Sequence, residues 1–501
     1  MPAKTKLGDV VVLLPGITGS VLQRDGKDVW AISGQAISRA MLSLGGSLDQ
    51  LLLKNDDWKI DDLGDGIKAT RVMHDVTFIP KLAKIDGYTG ICRMIAESFD
   101  IVHGQLDNDA PANFFEFPYD WRRDNRASAR KLQRFVDEKL NLWRKHTGNS
   151  KGKVILVVHS MGGLVSRYYL EVLGGWRDCR MLVTFGTPFR GSLNALDSLA
   201  NGLSKALGLV DLSALLRSCT SVYQLLPTYP AVLVDGEWKR VAETDLPYVE
   251  RQRAAEAHEF HEAIRQAVDN RLQTVPADQS YALLPIVGTE QETQQSAELQ
   301  GREVVLKQEL PAWVVDRVSN SAVLETGDGT VPRLSAIPIE LSDAPGNSFV
   351  AQKHGSLQNT PQLLDELRER LKQLQVKGLG KILAPIGGPP EGKPGIQLSV
   401  EDIYLNDEPV TVRARLINPI QAPGKLLARL ERVEPQGSPI EHELIEASDQ
   451  WLVELGELPP GLYRVEVFTQ IEGPAAPLPV KDLFEVVSPA IYPYGESDYG
   501  V

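Results

Sequence analysis

The chain contains a serine whose sequence setting suits a nucleophile. Ser160 lies in His-Ser-Met-Gly-Gly, directly after the apolar run 154–158. A strand that turns sharply into a helix exposes a serine at its apex, and only small neighbours fit against such a turn. The backbone N–H of Met161 then stands at a helix N-terminus and can face a developing oxyanion. The pattern predicts covalent acyl transfer through Ser160.

Acyl transfer through serine also needs a base that takes the hydroxyl proton. Downstream of Ser160 the histidines are His258, His261, His354 and His442. The first two fall in a charged helical pattern and the last in an acidic C-terminal region. His354, in a polar loop before an amphipathic helix, is therefore the predicted base.

The base needs an acid that fixes its tautomer, and Asp328 is the predicted partner. Asp328 stands between two glycines after a strand-like run. Asp316 and Asp343 remain alternatives. His159 is interpreted as a packing or orienting residue, because adjacent residues on a turn point in different directions.

The elements that must position these residues alternate between strand and helix patterns. Continuous apolar runs bounded by glycine and proline predict strands, and 3.6-residue periods predict helices. This alternation predicts a doubly wound, mainly parallel sheet with its active site at the carboxyl edge. The predicted strands are 10–14, 113–118, 154–158, 181–185 and 282–288, and the predicted helices are 91–99, 127–146 and 361–374.

Loops at the same edge supply candidate binding groups. The turn 15–19 follows the first strand, and the N–H of Ile17 is the predicted second oxyanion donor beside that of Met161. Asp120 and Arg122 are interpreted mainly as an ion pair, with substrate contact as the alternative. The candidate substrate-binding residues are Tyr119, Asp120, Trp121, Pro188 and Leu225.

The predicted hydrolase core comprises residues 1–192 and 280–375. Between 193 and 279 leucines at helical spacing predict a helical cap that excludes water and offers an apolar wall. A leucine-rich stretch at 41–53 is either a packed helix pair or a surface that touches lipid. Residues 376–395 are a Gly/Pro-rich linker and 489–501 a tail.

Residues 396–488 change to a period of two, which predicts an all-β immunoglobulin-like sandwich of about seven strands. The segment 458–463 is similar to the tyrosine corner of that architecture. From residue 386 onward 19 Asp and Glu stand against 8 Lys and Arg, which favours a separate module. We expect it to bind a protein partner or to brace the core.

Composition limits the function classes. The net charge of −13 argues against nucleic acid and offers no general attraction to anionic membranes. The three cysteines, Cys92, Cys179 and Cys219, are widely spaced, which argues against a disulfide scaffold or a zinc site. No cofactor is predicted. The N-terminus shows no signal-peptide pattern and no apolar run reaches membrane-spanning length, so a cytoplasmic location is expected, with peripheral membrane contact left open.

The chain resembles the lecithin:cholesterol acyltransferase-like lipases over roughly residues 8–375. This resemblance implies an α/β-hydrolase fold, the triad Ser160, Asp328 and His354, and oxyanion N–H groups from Ile17 and Met161. One departure is Val158, because the elbow prefers a small residue two positions before the nucleophile. The motifs that carry the resemblance are Leu14-Pro15-Gly16, Tyr119-Asp120-Trp121-Arg122, His159-Ser160-Met161-Gly162-Gly163, Gly186-Thr187-Pro188, Gly327-Asp328-Gly329-Thr330-Val331-Pro332 and His354.

The sequence therefore predicts a serine esterase or lipase that cleaves lipid acyl esters. An acyltransferase is the alternative, because chemistry up to the acyl-serine is identical in both. A catalytically silent lipid- or protein-binding module is the alternative from another class.

Overall fold

The computed structural model describes residues 4–31, 49–74, 76–202, 204–205, 210–276, 279–317, 324–341, 348–377, 394–419, 424–471, 473 and 476–488. Several sequence-based predictions lie outside these residues. They are the leucines at 41–48, the cap leucines 203, 207 and 209, the alternative acid Asp343, linker residues 378–393 and the tail 489–501.

The described core is built on a six-stranded sheet in which every pair is parallel. The strands are β1 (Val10–Leu14), β2 (Phe114–Glu116), β3 (Val154–His159), β4 (Cys179–Phe185), β5 (Ala282–Thr289) and β6 (Ser348–Ala351). Their spatial order is β6-β5-β4-β3-β1-β2. β1 and β3 are buried along their whole length, as their unbroken apolar sequences predict for strands covered on both faces.

The sheet differs from the sequence prediction at its β6 edge. β6 is only four residues long, and its sequence Ser-Phe-Val-Ala gives too few positions for a period to emerge. The strand-like run expected before Asp328 is not a sheet strand in its described part, 324–327. Gly327 instead makes an isolated bridge with Gln291, which follows β5.

Helices cover the sheet. The long helix Asn125–Thr147 begins at Asp124, whose carboxylate accepts the N–H of Arg126, and it ends at Gly148 in the left-handed region. It packs against the helix that leaves β3, and Thr89–Ser98 packs against Pro361–Lys377. The α-helices are Thr89–Ser98, Asn125–Thr147, Gly162–Arg167, which continues as a π-helical turn at Tyr168–Val172, Leu193–Ala200, Ser213–Ser218, Thr220–Tyr223, Arg251–Thr274, Ala312–Val315, Arg333–Ala336 and Pro361–Lys377.

The insertion after β4 contains strands as well as the predicted helices. The hairpin Val232–Val234 and Glu237–Lys239 joins Ser296–Gln300 and Glu303–Lys307, which follow β5, in one four-stranded sheet. The insertion is thereby hydrogen-bonded to the chain segment that follows β5 in sequence. A cleft of about 950 Å³ opens along it and is lined by Leu164, Phe189, Trp238, Trp313 and several arginines.

Shorter antiparallel elements surround the N-terminal half. Their members are Ser20–Arg24 with Lys27–Trp30 and Ile67–Val72, Thr77–Ile79 with Ala83–Ile85, and, in the insertion, Ser204–Lys205 with Val210–Asp211; Thr5–Lys6 pairs with Phe99–Asp100 in parallel.

The C-terminal module, residues 394–488, consists of two sheets around a hydrophobic core of its own. Most inward positions alternate with outward ones, as the predicted period of two requires. One sheet contains Gly395–Ser399, Pro409–Ile417, Gln450–Glu457 and Ile445–Ala447, and the other contains Ile403–Leu405, Val480–Val487, Gly461–Thr469, Leu426–Glu434 and Ile440–Glu443.

Among the helices of the described ranges, none has the length and apolar character that crossing a membrane requires.

Candidate active site

The turn after β3 holds Ser160 in a strained backbone conformation. Its φ is +50°, a region that non-glycine residues rarely adopt. The N–H of Ser160 donates to the carbonyl of Phe185 at 2.8 Å, and its own carbonyl accepts from Gly163 N–H and Thr187 Oγ1, both at 3.0 Å. These bonds over-determine the strained turn, and strain held in this way is typical of functional sites.

The glycines after Ser160 are required by close neighbours. A Cβ on Gly162 would lie 2.6 Å from the carbonyl oxygen of Pro15, and one on Gly163 would lie 2.0 Å from Thr187 Oγ1. Each distance is too short for a real contact. The helix therefore begins against the turn after β1 and against the turn after β4.

The structure explains how the chain accommodates Val158 where a small residue was expected. Val158 is fully buried in the middle of the sheet, paired with Leu14 and Thr184. The close approach falls instead on Gly16, where a Cβ would lie 2.9 Å from Ser160 Cβ. The small residue that the close approach requires is thus Gly16, in the turn after β1.

Ser160, His354 and Asp328 lie in one hydrogen-bonded line. His354 Nε2 is 2.9 Å from Ser160 Oγ, and His354 Nδ1 is 2.7 Å from Asp328 Oδ2. A carboxylate can only accept, so Nδ1 carries the proton and Nε2 accepts from the serine hydroxyl. All three residues are at least 94% buried.

Backbone groups fix the acid in this line. Asp328 Oδ1 accepts the N–H groups of Thr330 and Val331 at 3.0 and 2.7 Å, and the Asp328 carbonyl accepts the N–H of His354 at 2.8 Å. A Cβ on Gly186 would lie 2.8 Å from His354 Nδ1, and one on Gly288 would lie 2.4 Å from Asp328 Cβ. The carboxylate is therefore left with one oxygen directed at the imidazole.

Two backbone amides beside Ser160 have no acceptor. Among the described residues, the N–H groups of Ile17 and Met161 donate to no protein atom, whereas the neighbouring N–H of Gly16 donates to Tyr88 Oη at 2.8 Å. These are the amides predicted for the oxyanion. Buried N–H groups are rarely left unpaired in proteins, so the pair is suited to binding an oxygen of a ligand.

His159 supports the triad from behind. Its Nδ1 lies 3.1 Å from Tyr88 Oη, and its Nε2 lies 3.1 Å from the carbonyl oxygen of His354. A carbonyl only accepts, so His159 carries its proton on Nε2. Burial, together with the neighbouring His354, lowers the pKa of His159 to about 3, so the ring stays neutral. Sequence spacing did not indicate a role for Tyr88. Its hydroxyl contacts His159 and also accepts the N–H of Gly16.

One family of known proteins matches part of this chain. Residues 108–272, which include β3 and Ser160, match the profile of the lecithin:cholesterol acyltransferase family. The matched segment is about a third of the chain. Over these residues it confirms the resemblance predicted from the motifs, and the six-stranded parallel sheet fits the α/β-hydrolase fold that the resemblance implies.

Curated relatives match a stretch of 119 residues. The lysosomal phospholipase A and acyltransferase of Homo sapiens is 32% identical over 119 residues, which is 22% of this chain and 27% of the human protein. The protein of the same name from Bos taurus is 32% identical over 22% of this chain and 28% of its own length. The match thus spans about a quarter of each relative's length.

A solved structure aligns over most of the chain. The Bacillus licheniformis lipase BlEst2 in its pro-peptide form covers 97% of this chain and 94% of its own, at 14% identity and a TM-score of 0.30.

The candidate substrate-binding residues have mainly packing contacts. Tyr119 and Trp121 are buried, and Tyr119 Oη donates to the carbonyl of Pro15 at 2.9 Å, behind the oxyanion turn. Asp120 accepts three hydrogen bonds from Arg122, as the ion-pair interpretation predicts. The carbonyl of Pro188 accepts the N–H of Gly191, and the carbonyl of Leu225 accepts the N–H of Ser192.

The other histidines downstream of Ser160 and the alternative acid Asp316 lie elsewhere. His258 and His261 belong to the helix Arg251–Thr274, where His261 Nε2 is 2.8 Å from the carbonyl of Gln224. His442 lies in the C-terminal module and Asp316 is an exposed residue at the end of a helix.

The C-terminal module contacts both loops that carry the acid and the base. Gln291, which pairs with Gly327 beside Asp328, donates from Nε2 to the carbonyl of Ile396 at 2.8 Å and accepts the N–H of Leu398 at 3.1 Å. Ser356, two residues after His354, donates to the carbonyl of Lys481 at 3.1 Å. The module therefore braces the catalytic loops.

Charged side chains also join the C-terminal module to the rest of the chain, at a contact called the junction below. Lys84 lies between Asp402 and Asp482, with Nζ at 2.7 and 2.9 Å from their carboxylates, and Lys353 Nζ is 3.4 Å from Asp482. Although burial opposes the charge, the two carboxylates raise the pKa of the Lys84 ammonium. Arg464 pairs with Asp86 on the same face.

His159 predicts a pH dependence of stability. The folded ring, with a pKa of about 3, stays neutral where the unfolded ring takes up a proton below pH ~6.5, so stability falls as the pH drops through that window. The slope is up to about 1.4 kcal/mol per pH unit for this residue. His159→Gln, which keeps an N–H donor, is expected to flatten the dependence measured by urea unfolding. His146→Gln, an exposed site, is the control and should leave the slope unchanged; an unchanged slope in His159→Gln would refute the assignment.

Removing Lys84 should open the junction. Lys84→Ala leaves Asp402 and Asp482 partly buried without their shared cation, which is expected to cost about 2 kcal/mol or more. Lys425→Ala, which removes an exposed partner of Glu443, should cost less than ~1 kcal/mol. Differential scanning calorimetry checks both, and equal losses in the two variants would show that Lys84 is no stronger a contact than a surface pair.

Proposed function

We propose that the chain is a serine hydrolase that cleaves acyl esters of lipids through an acyl-serine intermediate. The observation that carries the proposal is the line Ser160–His354–Asp328 with two unpaired amides beside it. Nucleophile, base, tautomer-fixing acid and oxyanion donors are the complete set that acyl transfer needs.

Each residue has one role in the reaction. Ser160 Oγ attacks the carbonyl carbon of the ester while His354 Nε2 takes the hydroxyl proton. The amides of Ile17 and Met161 hold the oxyanion, and Asp328 stabilises the imidazolium. The intermediate collapses, the leaving alcohol takes the proton from His354, and acyl-Ser160 remains. Water then attacks the acyl carbon, and its proton passes to His354. When this second intermediate collapses, His354 returns that proton to Ser160 Oγ and the free acid leaves.

Two observations support a lipid as the substrate. The relatives with 32% identity are named lysosomal phospholipase A and acyltransferase. In this chain Leu164, one turn after Ser160, lines the cleft of the insertion together with Phe189, Trp238 and Trp313. Apolar and aromatic walls suit an acyl chain, because its burial releases water from hydrocarbon surface.

Acyl transfer to an alcohol is the second candidate, and the relatives' name favours it. An acceptor alcohol would replace water in the second half of the reaction, with its proton passing to His354. The geometry at Ser160 serves both acceptors equally.

For the C-terminal module we propose an immunoglobulin-like sandwich that braces the catalytic loops and offers a surface to a protein partner. Tyr463 Oη donates to the carbonyl of Pro459 at 2.6 Å, which supports the tyrosine corner. Ile440 and Ile445 are 59% and 72% exposed on strands at the ends of the two sheets, which supports an external contact. A cytoplasmic location with peripheral membrane contact is part of the same proposal.

A fluorophosphonate probe tests the nucleophile. Wild-type protein should be labelled at Ser160, and Ser160→Ala should lose labelling and at least about 10⁴-fold of its ester hydrolysis, because the triad acts as a unit. Ser166→Ala, a buried serine on the following helix, is the matched control and should keep both. Equal labelling of wild type and Ser160→Ala would exclude the proposed nucleophile.

A product analysis separates the two candidate functions. Vesicles of a phospholipid are supplied with and without an acceptor alcohol, and free acid and new ester are measured by mass spectrometry. We expect free acid to exceed ester, because water is in large molar excess over the alcohol. Ester in excess of free acid would make the chain an acyltransferase, and activity confined to short soluble esters would contradict the lipid substrate.

A further inference from the structure

Four side chains with metal-binding chemistry converge at the β2 edge of the sheet, away from the triad. Glu116 is the last residue of β2, and Cys92 lies on the helix Thr89–Ser98. His74 follows the strand Ile67–Val72, and His103 lies in the segment that bridges to Phe114. They come from four separate segments, so their proximity is produced by the fold.

Three of the four donor atoms are close enough to share one ion. One ligand atom each from His74, Cys92 and Glu116 lie within 4.8 Å of one another. His74 Nε2 is 2.8 Å from Glu116 Oε2, and His103 Nε2 is 3.4 Å from Glu116 Oε1. In tetrahedral zinc sites, bonds of 2.0–2.3 Å place neighbouring donors about 3.3 to 3.8 Å apart. Side-chain shifts of about 1 Å would bring the donors of His74, Cys92 and Glu116 to that geometry. The His103 ring, which already contacts Glu116, would turn toward the ion.

We propose that His74, Cys92 and Glu116 bind a zinc ion, with His103 as the fourth ligand. A mixed set of imidazole, thiolate and carboxylate donors suits zinc, whereas magnesium and calcium select oxygen alone. On binding, the Cys92 thiol releases its proton to solvent. One thiolate and one carboxylate then balance the two positive charges of the ion.

The cluster is only partly explained without a metal. Hydrogen bonds from His103 and His74 outweigh the burial of Glu116 and lower the pKa of its carboxyl to about 2. Those bonds leave Cys92 unaccounted for, because its sulfur makes no hydrogen bond to any residue in the described ranges. Cys179 and Cys219 differ, since each sulfur donates to a backbone carbonyl.

The position gives the ion a structural role. The helix that carries Cys92 begins directly after Tyr88, whose hydroxyl holds Gly16 and contacts His159. Cys92 N–H donates to the carbonyl of Tyr88 at 3.1 Å. Zinc would therefore fix this helix to the sheet edge, next to the oxyanion turn. The sequence argued against a zinc site because it offered no second nearby cysteine; the fold supplies histidines and a glutamate instead.

The test measures metal in the full-length protein. Wild-type chain is loaded with zinc, dialysed against buffer and analysed by inductively coupled plasma mass spectrometry, with about one equivalent expected. Cys92→Ser and Glu116→Gln should lower zinc affinity at least 100-fold, about the upper limit for changes outside the ligand shell. Cys219→Ser and His146→Gln are matched controls and should retain the metal. Ser160→Ala should also retain it, so the site is tested independently of the hydrolase proposal.

Wild-type protein alone provides a second measurement if a variant fails to fold. Cobalt(II) should give a thiolate-to-metal charge-transfer absorption, and added zinc should raise the melting temperature, an effect that EDTA reverses. His103→Ala should weaken binding and leave the thiolate band. Sub-stoichiometric zinc in wild type, or zinc affinity unchanged in Cys92→Ser and Glu116→Gln, would overturn the proposal.

Discussion

The tight turn at Ser160 is the constraint on which the site depends. A non-glycine residue at φ +50° is held there by bonds to Phe185, Gly163 and Thr187. Because the turn is so compact, neighbouring backbone must approach on several sides, and glycine at positions 16, 162 and 163 makes that possible. The position of the hydroxyl, the unpaired amide of Met161 and the contact with His354 all follow from this one conformation.

The catalytic loops lie far apart along the chain and depend on support from outside the sheet. Gln291 ties the turn of Asp328 to the first strand of the C-terminal module, and Ser356 ties the loop of His354 to its last. The charges around Lys84 close the same junction. A base that must keep one tautomer and one orientation gains from such bracing, since small displacements weaken proton transfer.

The opposite edge of the site is organised through Tyr88. Its hydroxyl links the oxyanion turn at Gly16 to His159, and His159 in turn contacts the backbone of His354. The helix that follows Tyr88 carries Cys92 of the proposed zinc cluster. The hydrogen-bonded line that contacts the loop of His354 thus begins at Tyr88, one helical turn before Cys92. This line and the C-terminal module both contact the loop of His354.

The sequence alone determined the strands β1 to β5, the long helices and the two-sheet pattern of the C-terminal module, and it predicted the three residues that the fold places in one hydrogen-bonded line, Ser160, His354 and Asp328. These follow from local signals: unbroken apolar runs, helical periods, glycine turns and the scarcity of histidines. Only the tertiary structure decided the role of Tyr88, the bracing by Gln291 and Ser356, the strands within the insertion, the short β6 and the cluster of His74, Cys92 and Glu116. Each of these depends on residues distant in sequence that meet in space, and such meetings leave no periodic trace in the chain.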